Sequence, residues 1–343
     1  MKNFLLAFTV IASMVSSTTK AQTAPTLDAK LLNHMDLSLT AGTTGLGFDL
    51  SMPVGDYVKV RTGFGAMLRF DLPTTFSIQV GDDPATSISQ FNRLSTRLSS
   101  IIGKPVNSKV EVIRQMTFWN WNVLVDIYPF KQNKHWHVTG GFYWGPSKVA
   151  EAYNATEAMP TLMAVNIYNR YYDKLHGLTP IELMDIQLVD LGEDFREFSN
   201  DPVLLMTLQE KFDRNGRMGV NMGLYKHDIV DEAGNVIHKM GENYLLEPDD
   251  NSMVKATMEV NSFKPYVGIG YDGRLVKNND RYHIGFDCGV MFWGGTPHLK
   301  THDGTDLIHD VYNIPGKIGT DVRTIKQAKV FPVLNLRLTR RLF

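Results

Sequence analysis

The stretch that decides the fold is Thr117-Phe-Trp-Asn-Trp-Asn-Val-Leu-Val-Asp-Ile-Tyr128, in which apolar and polar side chains alternate. Successive side chains of an extended strand point to opposite faces, so a period of two is typical of a β-strand. One face carries two tryptophans, two valines and an isoleucine, and the other carries two asparagines and Asp126. In a soluble sandwich the apolar face would point into a core, whereas in an outer-membrane barrel it would face lipid. The alternation alone leaves both architectures open.

Eight strands of this kind are predicted along the chain. They lie near residues 36–41, 46–52, 57–70, 117–128, 136–144, 264–272, 281–293 and 330–343. If the amino end starts in the periplasm, the short turns at 55–56, 131–134 and 276–280 are periplasmic. The long connections 71–116, 146–262 and 294–329 are then all outside, as is the rule for bacterial outer-membrane barrels. The sequence therefore predicts an all-β membrane protein, an eight-stranded antiparallel transmembrane barrel in the cell outer membrane of a Gram-negative bacterium.

The amino-terminal residues predict a secreted chain. Met1-Lys-Asn is a short positive start, residues 4–15 form an apolar run, and Thr19-Lys20-Ala21 has the small-x-small form of a cleavage site. We expect a signal peptide over 1–21 and a barrel domain over 22–343. Cys288 is the single cysteine, so no internal disulfide is expected.

The composition excludes one class of partner. Lys+Arg 35 against Asp+Glu 36 leave no basic excess, so no nucleic acid is expected to bind. The 43% of hydrophobic residues is compatible with a barrel, because only every second residue of a membrane strand faces lipid.

The polar faces of the predicted strands carry charges of both signs. The predicted lumen network consists of Asp49, Lys59, Arg61, Arg69, Asp126 and Asp287. The lumen of an eight-stranded barrel is just wide enough for side chains to fill, and buried charges are costly unless they pair. These residues therefore predict a plugged barrel, with a narrow solute channel as the alternative.

Two segments carry a resemblance to known proteins. Val125-Asp-Ile-Tyr-Pro-Phe130, followed by a Gly-Gly-Phe-Tyr strand, and Lys264-Pro-Tyr-Val-Gly-Ile-Gly-Tyr271 resemble uncharacterised outer-membrane β-barrel proteins of OmpA-like and OmpW-like architecture. The resemblance covers about 36–145 and 263–300, and it implies a porin-like barrel of eight strands without enzymatic residues. The chain departs from it in its much longer loops and in Phe343, which is out of phase with the leucines of the last strand.

The long connections carry signals of regular structure. A helix is predicted from Asp83-Pro84 to a stop at Gly103, which makes 71–116 a helical outer loop. Thr179-Pro-Ile-Glu182 is a capping box, a further helix is predicted from Asp201-Pro202 to Phe212, and residues 224–245 are predicted to form a hairpin. A connection of this length cannot be structureless in a compact fold, so 146–262 is predicted to be a small inserted α+β lobe on the extracellular side.

Two motifs suggest ligands. Gly268-Ile-Gly-Tyr-Asp-Gly273 matches a dinucleotide-binding pattern, but a turn and a strand follow where that pattern needs a helix; the glycines are better explained by space in the lumen. The outer loop 294–329 contains a candidate metal site of imidazole and carboxylate groups, with a solvated polar loop as the alternative. Its residues are His298, His302, Asp306 and His309.

The predicted role is structural or one of surface recognition, with the outer loops binding an unknown extracellular ligand. No G-x-S-x-G nucleophile motif occurs, so the protein is predicted to be no enzyme and to need no cofactor. An outer-membrane hydrolase is the alternative from the enzyme class. The expected partners are outer-membrane lipid, the barrel-assembly machinery and the unknown ligand.

Overall fold

The computed structural model describes residues 34–81, 84–130, 135–179, 182, 202–231, 233–276 and 279–342. The expected signal peptide, the turn at 131–134 and Phe343 lie outside the described residues. Strands and helices are numbered along the chain. The first part contains β1 (Asp36–Gly42), β2 (Gly45–Pro53), β3 (Val58–Ala66), β4 (Leu72–Ser77), β5 (Gln79–Val80), α1 (Pro84–Ile102), β6 (Lys109–Met116), β7 (Trp119–Ile127) and β8 (Trp136–Trp144).

The central part of the chain is mostly the third long connection. It contains β9 (Lys148–Asn154), α2 (Met159–Leu175), α3 (Pro202–Asn215), β10 (Met218–Tyr225), β11 (Ile229–Val230), β12 (Val236–His238), β13 (Asn243–Leu246) and β14 (Lys255–Glu259). The last part contains β15 (Phe263–Val276), β16 (Asn279–Phe292), β17 (His298–Thr301), β18 (Val311–Tyr312), α4 (Gly316–Gln327) and β19 (Val330–Arg341).

Eight strands close into an antiparallel barrel in the order β1-β2-β3-β7-β8-β15-β16-β19. The first and last strands pair directly, from Asp36 opposite Arg341 to Gly42 opposite Asn335. Closure leaves the barrel no open edge, so every barrel strand has a neighbour on both sides. The predicted eight-stranded antiparallel barrel is confirmed.

The barrel has an inverted distribution of polarity. Leu39 and Leu336, on its outer face, are 61% and 63% exposed, whereas Arg61 is 1% exposed in the lumen. Monomeric soluble proteins rarely expose a continuous apolar belt, and burying a charge while leaving leucines in water would be unfavourable. The apolar face is therefore in lipid, and the sandwich alternative is wrong. The protein is an outer-membrane barrel.

Aromatic side chains lie at both ends of the apolar belt. At the inner end, the rings of Trp136 and Tyr271 meet edge to face with centroids 5.1 Å apart. At the outer end, the rings of Trp119 and Trp144 lie 5.9 Å apart. Such girdles are typical of the two interfaces of a membrane barrel, where an amphipathic ring contacts both apolar chains and polar headgroups.

The three long connections fold together into one lobe at the outer end of the barrel. A five-stranded sheet, in the order β17-β14-β9-β6-β4, continues the barrel wall outward. The hydrophobic core of the lobe contains residues from all three connections. Phe91 comes from the first, Leu162 and Met218 from the second, and Ile308 from the third. The predicted α+β lobe is present, and its core contains all three connections because each buries its apolar residues against the other two.

Several predicted elements of the lobe are confirmed. α1 ends where Gly103 takes a φ of 69°, which glycine adopts without strain. β11 and β12 form the predicted hairpin, and α3 buries Phe212. At the capping box, the Thr179 N–H donates to a Glu182 carboxylate oxygen at 2.8 Å. Among the helices of the described segments, none combines the length and hydropathy needed to span a bilayer.

The sequence did not predict α4 or the five-stranded sheet. α4 contains two glycines, which lower its helix propensity. Gly319 is required there, because a Cβ at this position would lie 1.9 Å from the carbonyl oxygen of Ile314. The helix forms because Val322 packs in the lobe core and Ile325 packs between that core and the apolar cluster at the outer mouth of the barrel. Each of these five strands lies close to a barrel strand along the chain, β6 and β14 before one and β4, β9 and β17 after one.

Candidate functional site

The middle of the lumen is filled by a network of paired charges centred on Arg61. Its guanidinium Nε lies 2.8 Å from Oδ2 of Asp126. Nη1 donates to Oδ2 of Asp287 at 3.0 Å, while Asp49 is at 4.0 Å. All four side chains are buried. Because both carboxylates are bound by a planar guanidinium with several donors, the charges compensate each other at hydrogen-bond distance.

A second arginine, Arg337 of β19, extends the network. Its Nη2 donates to Oδ1 of Asp272 at 2.7 Å, and its Nε lies 3.5 Å from Asp287. His137 lies between these acids, with Nε2 at 3.3 Å from Oδ1 of Asp287. Thr139 donates to Oδ1 of Asp126 at 2.7 Å. The network therefore joins strands from both ends of the chain across the lumen.

Glycines on the lumen face make room for these side chains. A Cβ at Gly270 would lie 2.3 Å from Nε2 of His137, and one at Gly63 would lie 1.8 Å from Oδ1 of Asp49. The Gly268–Gly273 segment is part of the paired strand β15, without a helix after its glycines. It therefore lacks the helix N-terminus that would hold a pyrophosphate.

Four of the six residues predicted for the lumen network meet in this cluster, namely Asp49, Arg61, Asp126 and Asp287. Lys59 lies nearer the inner end, where it binds Asp36 at 2.8 Å. Arg69 was wrongly included: β3 ends at Ala66, and Arg69 is exposed beyond the barrel. The chain leaves the barrel wall there, so the alternation no longer reports on the lumen.

Sequence reasoning missed Arg337, Asp272 and Asp36, which are all in or next to the network. The signal was present for Arg337, because it alternates with Leu336 and Leu338 of the last strand. A consistent assignment of faces in that strand would have placed Arg337 in the lumen.

Two further layers close the lumen outside the charges. The first contains amides and phenols: Asn335 accepts from Thr44 at 3.0 Å, and the rings of Tyr143 and Tyr266 meet edge to face at 5.4 Å. The second is an apolar layer at the outer mouth, made by Phe118, Met291, Trp293, Phe331 and Val333. The cavity between the charges and the amides is about 10 Å³, which is room for about one water molecule.

The inner mouth of the barrel is open, in contrast to the closed outer mouth. A cavity of about 570 Å³ lies below the network and is lined by charged and imidazole side chains, among them Asp36, Lys59, His135 and Arg341. Lys59 and Asp36 are bound to each other there. The cavity ends at the charged layer, so it is a vestibule at the end of the barrel opposite the lobe.

The lobe contains a compact cluster of imidazole and carboxylate groups. Nδ1 of His298 and Nδ1 of His309 lie 2.6 Å and 2.8 Å from the same Oδ2 of Asp306. Burial acts to raise the pKa of Asp306, but the N–H of Ile308 and the two imidazoles hold that pKa below its usual range. His302, the fourth predicted residue, lies apart, with its Nδ1 3.4 Å from the backbone nitrogen of Lys255.

Comparison with solved structures gave matches at low sequence identity. CarO2 of Acinetobacter baumannii is 14% identical, covers 90% of this chain and 98% of its own, and gives a TM-score of 0.35. CarO of the same organism is 12% identical with the same coverages and TM-score. A major outer membrane protein from Thermus thermophilus is 12% identical, covers 90% and 99%, and gives a TM-score of 0.26.

No protein-family model and no curated protein matches the chain. The fold assignment therefore rests on the closed strand order and on the apolar exterior of the barrel.

Proposed function

We propose that the protein is a non-conducting outer-membrane barrel that holds a recognition lobe at the cell surface. The observation that carries the proposal is the obstruction of the lumen by three successive layers, of charges, amides and apolar side chains. A solute would have to displace Arg61 from two carboxylates and then pass a packed aromatic layer. The alternative of a narrow solute channel is disfavoured for the same reason.

The lobe supports the recognition half of the proposal. It has its own hydrophobic core, to which all three long connections contribute side chains. It is therefore a rigid platform and not a set of separate loops. Its β11–β12 hairpin leaves Val230, Val236, Ile237 and Met240 exposed to water. Exposed apolar clusters of this kind often mark contacts with another macromolecule, and surface loops held on a rigid scaffold commonly carry binding functions.

The proposal also implies its partners. Outer-membrane lipid contacts the apolar belt, the barrel-assembly machinery inserts the strands, and an extracellular ligand binds the lobe. The absence of enzymatic activity and of a cofactor stays a prediction.

Conductance measurements test the closed lumen. Purified full-length protein reconstituted in planar bilayers should show no stepwise conductance at either polarity, because the three layers exclude a continuous water column. A matched variant, Arg61→Ala with Arg337→Ala, tests whether the charged layer alone closes the barrel; the apolar layer should keep this variant closed as well. Regular conductance steps from the wild-type protein would favour the channel alternative.

Adhesion measurements test the proposal that the lobe recognises a ligand at the cell surface. Cells displaying the full chain should adhere to an immobilised apolar surface more strongly than cells without it, because the exposed apolar hairpin can contact that surface. Ile237→Lys should reduce this adhesion, because it places a charge in the exposed apolar hairpin. Val203→Lys is the control, since Val203 is exposed on α3. Equal adhesion of cells with and without the chain would argue against the hairpin as the contact surface of the lobe.

A further inference from the structure

Three side chains of the lobe form a compact set of metal-type ligands. His298 is the first residue of β17, and Asp306 and His309 lie in the turn between β17 and β18. The ligand atoms of the three residues all lie within 4.8 Å of one another. The two imidazole rings are tilted against each other by 31°, with centroids 4.6 Å apart. Both rings therefore converge on one carboxylate.

The carboxylate of Asp306 is held in a fixed orientation. Its Oδ1 accepts the backbone N–H of Ile308 at 2.9 Å and that of Leu299 at 3.3 Å. Lys226 fixes the same turn by donating to the carbonyl oxygen of Ile308 at 2.6 Å. Oδ2 is thus left for the two imidazoles. One oxygen bound by the backbone and the other directed at the ligand set is the arrangement that preorganises a metal-binding carboxylate.

The charge of Asp306 is stabilised by hydrogen bonds from backbone N–H groups and from two imidazoles. The side chain is buried. Among the described residues, the only basic groups within 4 Å of its carboxylate are the two imidazoles. A bound divalent ion would add a full positive charge beside this carboxylate, which the hydrogen bonds do not supply. The imidazoles themselves are half exposed, with 53% and 43% of their side-chain surface open, so an ion can enter from the solvent side.

We propose that His298, Asp306 and His309 bind one divalent transition-metal ion of the zinc class. Two imidazole nitrogens and one carboxylate oxygen are donors that suit zinc, whereas calcium and magnesium prefer oxygen donors alone. Zinc sites with three protein ligands keep a fourth position for water or a further ligand, and the exposed side of the imidazoles supplies it. This site does not depend on the proposed recognition function.

The distances fit with a small adjustment. In a tetrahedral site with bonds of about 2.0 Å, neighbouring ligand atoms lie about 3.3 Å apart. The two Nδ1 to Oδ2 distances of 2.6 Å and 2.8 Å must widen by about 0.7 Å and about 0.5 Å to reach that spacing. The two imidazoles are half exposed, so they are the groups that would have to rotate, while the backbone-bound carboxylate stays in place.

Zinc titration of the full-length protein tests the site. The protein is purified in detergent without an affinity tag, stripped with a chelator and titrated with Zn²⁺ in a calorimeter. Wild type should bind one ion per chain. His309→Ala and Asp306→Asn should each weaken binding at least about tenfold, since even the loss of an outer partner of a metal ligand costs that much. Asp306→Asn keeps the Oδ1 acceptor and therefore the turn.

His302→Ala is the matched control, because His302 lies in the same connection but outside the three-residue cluster. It should bind zinc like wild type. Folding of every variant is checked by the gel-mobility difference between heated and unheated samples. No stoichiometric zinc binding by wild type, or equal losses for His302→Ala and His309→Ala, would overturn the proposal.

A second measurement needs no variant. Co²⁺ added to the stripped wild-type protein should produce visible absorption bands, and one equivalent of Zn²⁺ should abolish them. Absorption no greater than that of Co²⁺ in buffer would overturn the proposal even if a variant failed to fold.

Discussion

At the scale of the residue, Arg61 depends on carboxylates that the chain supplies from distant strands. Asp126, which is 0% exposed, lies against its Nε. Asp126→Ala would leave Arg61 with part of its charge uncompensated in a dry lumen, which costs roughly 3–5 kcal/mol. We therefore expect a clear fall in the free energy of unfolding of the barrel, measured by urea titration in lipid vesicles with tryptophan fluorescence as the signal.

Arg69→Ala is the control for this prediction. Arg69 is exposed outside the barrel, so its removal should leave the unfolding midpoint unchanged. Asp287→Ala should resemble Asp126→Ala, because Asp287 also binds Arg61. Unchanged stability of both aspartate variants would contradict the filled lumen and favour a wetter interior.

At the scale of the element, the height of a residue along its strand decides what a charge costs on the outer face. Ile269 is exposed near the middle of β15, and Tyr282 is exposed near the inner end of β16. An arginine costs about 2–4 kcal/mol at the bilayer midplane and at most about 1 kcal/mol near the interfaces. Ile269→Arg should therefore lower the unfolding free energy in vesicles more than Tyr282→Arg does. Equal losses at the two heights would contradict the assignment of this face to lipid.

At the scale of the whole molecule, the side of the membrane that carries the lobe can be measured on intact cells. Lys239 is exposed next to the β11–β12 hairpin, whereas Lys226 donates to two carbonyl oxygens of the turn after β17. Trypsin prefers exposed turns, so it should cleave after Lys239 and spare Lys226. Lys239→Gln should remove that cleavage product.

The result depends on topology. Cleavage of intact cells is expected because the long connections lie outside. If the same cleavage occurs only after the outer membrane is permeabilised, the lobe is periplasmic and the orientation is inverted.

The sequence alone was sufficient to predict the barrel, because the alternation that indicates a β-strand is a local pattern. In β7, the alternation of Trp121 and Val123 with Asn122 shows which side chains share a face, and this holds whatever strand lies beside it. The turns and the lengths of the connections then predicted the number of strands. They also placed all three long connections on the same side of the membrane. The helix ending at Gly103 and the Thr179 capping box were likewise set by their neighbours along the chain.

The tertiary structure decided which residues meet across the lumen and in the lobe. Arg61 contacts Asp287 although 226 residues separate them, and that contact depends on the register and closure of all eight strands. Alternation shows that a side chain is in the lumen, but it does not show at which height along the barrel that side chain finds its partner.

In the lobe, one core joins Phe91, Leu162 and Ile308 from three connections. The turn that brings Asp306 to His298, while His302 lies elsewhere, is held by hydrogen bonds to Lys226 from a distant segment. Such contacts exist only once the chain has folded, because they bring together groups that no local pattern connects.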